Sequence, residues 1–136
     1  MKKVIFATLC FLMIFTNGLN VQATEISKRY EITVFASATL TISPSGLATC
    51  EITARLYDTI DEGTVNMTLY KEEGTRWKEI KSWEKQFDES SEDVLTLRRT
   101  YYVHEEGTYI LTGSVDVTTS KGSDYIELES NREDYP

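Results

Sequence analysis

Few residues in this sequence have the chemistry that catalysis or metal binding requires. Its 136 residues include one histidine, His104, which lies beside Glu105 and Glu106, and two cysteines, Cys10 and Cys50. A zinc site needs more of these side chains than one chain supplies here, and a Cys–His pair needs an accessible thiol, whereas we expect Cys50 to be buried. Neither a Gly-x-Ser-x-Gly motif nor a glycine-rich phosphate loop occurs. The sequence therefore predicts a non-enzymatic protein with no cofactor, no metal and no catalytic residue.

Carboxylates are the exception, because the sequence contains 22 Asp and Glu residues. A glycoside hydrolase needs only two carboxyl groups at a suitable separation, so a small secreted carboxylate-dependent hydrolase is the alternative function. The acidic segments 58–63 and 88–93 offer oxygen ligands of the kind that calcium prefers, but neither has the spacing of a known calcium loop. We expect both segments to be solvated loops.

Three aromatic side chains are the candidates for ligand binding: Trp77, Trp83 and Tyr70. The two tryptophans are six residues apart, so on an unbroken strand both would share a face with polar side chains. Exposed aromatic rings flanked by polar groups can stack on sugar rings or dock a protein partner. In the alternative interpretation, which we favour, a β-bulge turns at least one of the two tryptophans towards the core.

The N-terminal segment predicts a cleaved signal peptide over residues 1–23. Lys2 and Lys3 precede an uncharged apolar run of twelve residues, 4–15, and Ala23 provides the small residue of a cleavage site. Twelve helical residues span about 18 Å, which is short of the ~30 Å hydrocarbon core of a bilayer, so no retained membrane anchor is expected. We expect cleavage after Ala23 and secretion to the extracellular space.

Cleavage makes the protein more acidic. It leaves 113 residues and removes two of the 14 basic residues but none of the 22 acidic ones, so the formal net charge changes from −8 to −10. Phosphate contacts need clustered Lys and Arg, so nucleic acid is not an expected partner. The expected partners are extracellular carbohydrate or protein. Cys50 becomes the only thiol, so no intramolecular disulfide can form.

Alternating apolar and polar residues predict β-strands through the rest of the chain. The even positions of 30–43 are apolar, and the same alternation recurs around Cys50, Met67, Tyr109 and Ile126. Turn-forming residues separate these segments at near-regular spacing. The expected domain covers residues 30–130, after a flexible stub at 24–29 and before a flexible acidic tail at 131–136.

These strands predict the fold class. Seven strands in about 100 residues, joined by short connections, are typical of a single all-β immunoglobulin-like antiparallel β-sandwich, here preceded by a signal-peptide helix. A small barrel is the structural alternative. The segment 76–87 is the least regular, because Trp77, Ile80 and Trp83 are three apart and also fit a helix. Cys50 lies on an apolar face, where we expect a small buried hydrophobe.

The segment 105–111, Glu-Glu-Gly-Thr-Tyr-Ile-Leu, resembles the start of strand F in immunoglobulin-like domains. The resemblance implies that Gly107 begins the strand and that Tyr109 is the tyrosine of a tyrosine corner, with its hydroxyl bonded to nearby backbone. It puts Leu111 where antibody domains carry their second cysteine, opposite Cys50 on strand B. The chain differs from antibody domains because it has neither that second cysteine nor a tryptophan on its third strand.

From residue 1 to about 130, the chain resembles uncharacterised small secreted proteins of Gram-positive bacteria. The shared features are a signal peptide, an Ala-Thr-Leu-Thr-Ile-Ser strand, a Cys-bearing strand, Trp-Lys-x-Ile-Lys-Ser-Trp and Gly-Thr-Tyr, in that order. This resemblance implies no activity. The function that the sequence favours is a secreted non-catalytic β-sandwich module that binds carbohydrate or protein at the cell exterior.

Overall fold

The structure is a computed structural model that describes residues 30–136. The expected signal peptide and the stub at 24–29 lie outside the described residues. Glu31–Pro136 is one compact unit, and it contains every strand that the structure describes. Among the described residues, no helix is long and apolar enough to cross a membrane.

Residues 30–136 form eight β-strands and no helix, which confirms the all-β class. The segment 76–87, whose tryptophan spacing also fits a helix, is a strand throughout. The strands are β1 Thr33–Ile42, β2 Leu47–Leu56, β3 Glu62–Glu73, β4 Arg76–Phe87, β5 Val94–Tyr102, β6 Gly107–Thr119, β7 Gly122–Glu129 and β8 Glu133–Tyr135.

The strands form two antiparallel sheets that pack face to face. The small sheet has the order β1–β2–β5, and the large sheet has the order β4–β3–β6–β7, with β8 paired to the start of β6. Strands one, two and five on one side, and three, six and seven on the other, are the immunoglobulin-like arrangement. The predicted antiparallel β-sandwich is therefore confirmed, and the short β8 is additional to its seven main strands.

The core lies between the sheets and is built from the predicted period-two faces. Along β2, every second residue is buried and those between are half-buried or exposed. Gly113 on β6 allows the sheets to approach closely, because a Cβ there would lie 2.6 Å from Cδ1 of Ile52. The burial of these apolar faces is the main favourable term in folding. The faces of the three central strands contribute Ala48, Cys50, Ile52, Ala54, Leu56, Val65, Met67, Leu69, Leu111, Val115 and Val117.

Asp124 on β7 holds the start of the chain's first strand in place. Its side chain is 8% exposed, and its two carboxylate oxygens accept hydrogen bonds of 3.0–3.1 Å from the backbone N–H groups of Glu31, Ile32 and Thr33. Immediately after these residues, the pairing of β1 with β2 shifts register between Thr33 and Phe35. The strand therefore bends where it leaves Asp124 to join β2.

The C-terminal residues correct an expectation. The sequence places 131–136 in a flexible tail, but Glu133–Tyr135 form β8 and pair antiparallel with Gly107–Tyr109 of β6. The hydroxyl of Thr108 also donates a 2.6 Å hydrogen bond to the carboxylate of Asp134. A strand of three residues is too short to show a period-two pattern, which is why the sequence does not predict it.

Candidate functional site

Both tryptophans lie on β4, an edge strand of the large sheet. Lys81 on β4 lies opposite Leu69 on β3, but the next residue of β3, Tyr70, lies opposite Glu79, so Ile80 is an extra residue. This is a β-bulge. One extra residue exchanges the two faces of the strand beyond it, because side chains alternate with a period of two.

The bulge places the two tryptophans on opposite faces of the large sheet. Trp83 lies opposite the buried Met67, so its ring is on the core side, where it is half-buried. Trp77 lies opposite Glu72 on the outer face and is 36% exposed. This arrangement corresponds to the favoured interpretation, in which a bulge turns one tryptophan inward. The shared tryptophan face of an unbroken strand is not formed.

Tyr70, Trp77 and Arg132 together form what we call the aromatic site. Tyr70 and Trp77 are diagonal neighbours on the outer face, a position from which aromatic rings on adjacent strands reach one another. Arg132, between β7 and β8, has its guanidinium 5.2 Å from the centroid of the Trp77 ring, within cation–π range. Ile110 on β6 lies opposite Tyr70 on the same face and is only 5% exposed.

A shallow, open depression of about 250 Å³ lies beside the aromatic site, between β3 and β4. Thr68 immediately precedes Tyr70 on the outer face of β3, and its hydroxyl shares a 2.9 Å hydrogen bond with that of Ser82 on β4. The side chains of Met67 and Trp83 lie on the other face, so these two residues contribute the floor. The lining residues are Asn66, Met67, Thr68, Ser82, Trp83 and Glu84.

The charged groups around the aromatic site are acidic apart from Arg132. Glu72, Glu79 and Glu84 all lie on this face and are exposed. Hydroxyl and amide groups of the depression can donate and accept hydrogen bonds, and Trp77 offers an indole ring. The arrangement can therefore bind a ligand by stacking and hydrogen bonding, and it disfavours a ligand that is itself negatively charged.

The two acidic segments contact one another through their backbones, while most of their carboxylates are exposed to solvent, as expected. The N–H of Ile60 donates to the carbonyl of Glu92, and the N–H of Ser90 donates to the carbonyl of Ile60, both at 3.0 Å. Ile60 is 1% exposed, so one apolar side chain fastens these loops to the core. Within residues 30–136, no group of three or more metal-binding side chains comes together.

Cys50 and Leu111 are both completely buried and lie on different sheets. Burial raises the pKa of the Cys50 thiol from its ordinary 9.0 to about 12. A thiol that stays protonated and inaccessible is chemically inert, since the thiolate is the reactive form. The residue therefore behaves as the small buried hydrophobe that the sequence predicts.

Tyr109 and Gly107 lie at the connection between β5 and β6. The Tyr109 ring is 2% exposed, and its hydroxyl donates a 2.6 Å hydrogen bond to the backbone carbonyl of Glu105. Burial, together with the nearby charge of Glu105, raises the pKa of this hydroxyl. Gly107 leaves room for the stem of Lys71, because a Cβ at Gly107 would lie 2.8 Å from Cε of the lysine. Both residues have structural roles.

Two residues that sequence reasoning missed are Arg132 and Asp124. The sequence places Arg132 in a flexible tail, yet it lies over the Trp77 ring. Asp124 shares the inward side of β7 with Ile126 and Leu128, and its partners are at least 91 residues away. No local pattern indicates such contacts. The one signal for Asp124 is that it is a polar residue at a position of β7 whose alternation points towards the core.

No family model and no curated protein matches the chain. Among solved structures, a β-glucuronidase of Parabacteroides merdae is similar over 77% of this chain, with a TM-score of 0.44 and 14% identity, and the chain spans 14% of that enzyme's length. A CARDB domain from Pyrococcus furiosus, solved with di-metal ions, is similar over 77% of this chain and 94% of its own, with a TM-score of 0.37 and 14% identity. Similarity at this level identifies no ligand and no activity.

Proposed function

We propose that this protein is a secreted, non-catalytic module that binds carbohydrate through the aromatic site on the outer face of the large sheet. The observation that carries the proposal is the position of Tyr70 and Trp77 as diagonal neighbours beside a depression lined by hydroxyl and amide groups. The packed sheets form a rigid support, and the binding surface is a shallow face of that support.

Carbohydrate fits this surface because a sugar has both a flat apolar face and a rim of hydroxyl groups. Aromatic side chains stack on the apolar face, and an aromatic body with a polar tip suits such wet contacts. Trp77 provides the exposed ring, while Thr68 and Ser82 provide hydroxyl groups close by. Glu72 and Glu79 flank the ring, so the expected ligand is an uncharged oligosaccharide.

Affinity electrophoresis of residues 24–136 in gels containing soluble β-glucan, mannan or chito-oligosaccharide tests this proposal. We expect retardation by at least one of them, and a loss of roughly tenfold or more in affinity for Trp77→Ala, since a central aromatic contact contributes about 1.4 kcal/mol or more. Tyr102→Ala is the matched control, because Tyr102 is 57% exposed but lies on the small sheet. Equal losses in the two variants, or no retardation by any of the three, would contradict the proposal.

The non-catalytic part of the proposal has its own measurement. Incubation of the same polysaccharides with the protein should release no new reducing ends, whereas the carboxylate-dependent hydrolase would release them. Glu79 and Glu84 are two carboxylates on this face. If reducing ends appear and their release depends on either of them, the function is hydrolysis and not binding alone.

Secretion and cleavage after Ala23 are tested by expressing the whole chain in a Gram-positive host and measuring the mass of the protein in the medium. We expect a protein that begins at Thr24, because the small residue Ala23 is the kind that signal peptidases require. An Ala23→Glu variant should remain uncleaved. Intact chain confined to the cell would contradict the proposed destination.

A further inference from the structure

The two faces of β4 carry charges of opposite sign. The charged side chains on the outer face are acidic, Glu79 and Glu84. The register with β3 assigns the basic side chains to the core side, where Lys81 and Lys85 lie opposite the buried Leu69 and Val65. Beyond the bulge the same face continues with Arg76 and Lys78.

These cations are exposed although they lie on the core side of the sheet. The small sheet has three strands and the large sheet has five, and Lys81 and Lys85 on the edge strand β4 are exposed. On β5, Arg99 lies opposite Cys50 but is also exposed, at the edge of the small sheet. The loop 88–93 joins these two edge strands, and Lys81 and Arg99 lie at similar distances from it along their strands. We call Arg76, Lys78, Lys81, Lys85 and Arg99 the basic strip.

Most of the basic strip has no carboxylate partner. Lys78 is 3.8 Å from Glu73, but Arg76, Lys81, Lys85 and Arg99 make no ion pair within residues 30–136. In a chain with 14 basic and 22 acidic residues, these four cations lie on the edge strands β4 and β5. Their charges are therefore available to an anionic ligand.

Protection of an exposed sheet edge explains only part of this pattern. Charged residues on an edge strand discourage pairing with other chains, and inward-pointing lysines such as Lys81 and Lys85 are one form of this protection. Edge protection does not require the sorting of basic residues to one face and acidic residues to the other. The core side of β4 also alternates cations with aromatic rings in the order Lys81, Trp83, Lys85 and Phe87, about 6.8 Å apart along the strand.

We propose that the basic strip binds a linear anionic polysaccharide. Lys81, Lys85 and Arg99 would pair with its carboxylate or sulfate groups, and the half-buried ring of Trp83 would contact a sugar face. Lys85 Nζ lies 4.8 Å from the centroid of the Phe87 ring, so Phe87 supports this lysine. The strip follows the two edge strands β4 and β5, with acidic side chains on the opposite face of β4 and in the loop 88–93. This flanking charge favours a single narrow chain over a broad polyanion such as duplex nucleic acid. The strip is separate from the aromatic site, and the proposal does not rest on it.

The test measures binding of dextran sulfate, with neutral dextran of the same chain length and single-stranded DNA as comparisons. A Trp77→Phe background leaves Trp83 as the only tryptophan of residues 24–136, so its fluorescence reports on the strip. In this background Lys81→Gln with Arg99→Gln should weaken dextran sulfate binding roughly tenfold, since each exposed ion pair contributes modestly. Arg55→Gln with Lys121→Gln is the control, because it removes two exposed cations outside the strip.

The outcomes decide the proposal as follows. A Trp83 fluorescence change with dextran sulfate, weakened by salt and by the strip variant but less than twofold by the control, supports it. Equal losses in the two double variants would show a response to net charge and would overturn it. Equally tight binding of neutral dextran would also overturn it, and so would DNA binding that is as tight and equally dependent on the strip, because the ligand would then be phosphate polymer. Unchanged circular dichroism of both variants ensures that folding does not cause the result.

Discussion

The two edges of the large sheet use charged side chains in opposite ways. At β7, Asp124 is buried, and its carboxylate accepts three backbone hydrogen bonds from the start of β1. At β4, Lys81 and Lys85 are exposed and make no ion pair with the described residues. Burying a charge is costly unless it is fully hydrogen-bonded, so the first edge is specialised for holding the fold. The second edge leaves its charges available to a ligand.

The aromatic side chains show the same difference. Tyr109 is buried, and its hydroxyl donates a hydrogen bond to the backbone carbonyl of Glu105, which is nearby in the sequence. Trp77 is 36% exposed on the outer face and has the guanidinium of Arg132 over its ring. A polar tip that is satisfied inside the protein indicates a structural role, whereas an exposed ring beside solvent-accessible polar groups indicates a binding role. This distinction predicts how strongly each substitution affects stability.

Asp124→Ala should have the largest effect on stability. It leaves two buried N–H groups and one part-buried N–H group without their acceptor, and we expect the free energy of unfolding to fall by about 3 to 4 kcal/mol, measured by urea denaturation. Glu127→Ala is the matched control on the same strand, because Glu127 is exposed, and its effect should stay within about 0.5 kcal/mol. Similar losses in both variants would show that Asp124 does not hold β1 in the way described.

Alkaline pH should weaken the fold through Cys50. Burial raises the pKa of its thiol from 9.0 to about 12, so the folded protein keeps this proton at pH values where the unfolded chain has lost it. The stabilisation is complete below pH 9.0 and is lost as the pH rises towards 12, at roughly 1.4 kcal/mol per pH unit above the unfolded pKa. Denaturation curves between pH 8 and about 10.5 measure it, and the loss reaches about 2 kcal/mol at the upper limit.

Cys50→Ala isolates this contribution, because tyrosines and lysines also titrate at alkaline pH in both proteins. The variant should lose less stability than the natural chain over the same range. Parallel stability curves for the two proteins, or rapid reaction of the native thiol with Ellman's reagent at pH 8, would mean that Cys50 is accessible to solvent.

Tyr109→Phe should cost about 1 to 2 kcal/mol of unfolding free energy, because it removes one buried hydroxyl that donates to the Glu105 carbonyl and leaves that acceptor without its partner. Tyr125→Phe is the control, since Tyr125 is 57% exposed on β7 and should change little. A denaturation midpoint that is the same in Tyr109→Phe and the natural chain would show that the corner hydrogen bond does not stabilise the fold.

The same contrast explains how much could be predicted from the sequence. The alternation around Cys50 and Met67 correctly places β2 and β3, because a period of two is a local property that burial of one face imposes. The Ile80 bulge is not predictable in detail, because the register between β3 and β4 decides which face each tryptophan takes. Contacts between distant segments, such as Asp124 with the start of β1 or Arg132 with Trp77, leave no local pattern.

Trp77→Phe should have the smallest effect on stability, below about 0.5 kcal/mol. The fluorescence of the two tryptophans nevertheless gives the most direct comparison of the two faces of β4. Trp83→Phe leaves Trp77 as the reporter of the outer face, and Trp77→Phe leaves Trp83 as the reporter of the core side. Iodide should quench Trp83 more than caesium does, because Lys81 and Lys85 flank it, and caesium should be favoured at Trp77, beside Glu72 and Glu79. Neutral acrylamide controls for accessibility and should quench Trp77 more. If the iodide-to-caesium ratio is the same for both tryptophans, the bulge does not separate the charges of β4 in solution.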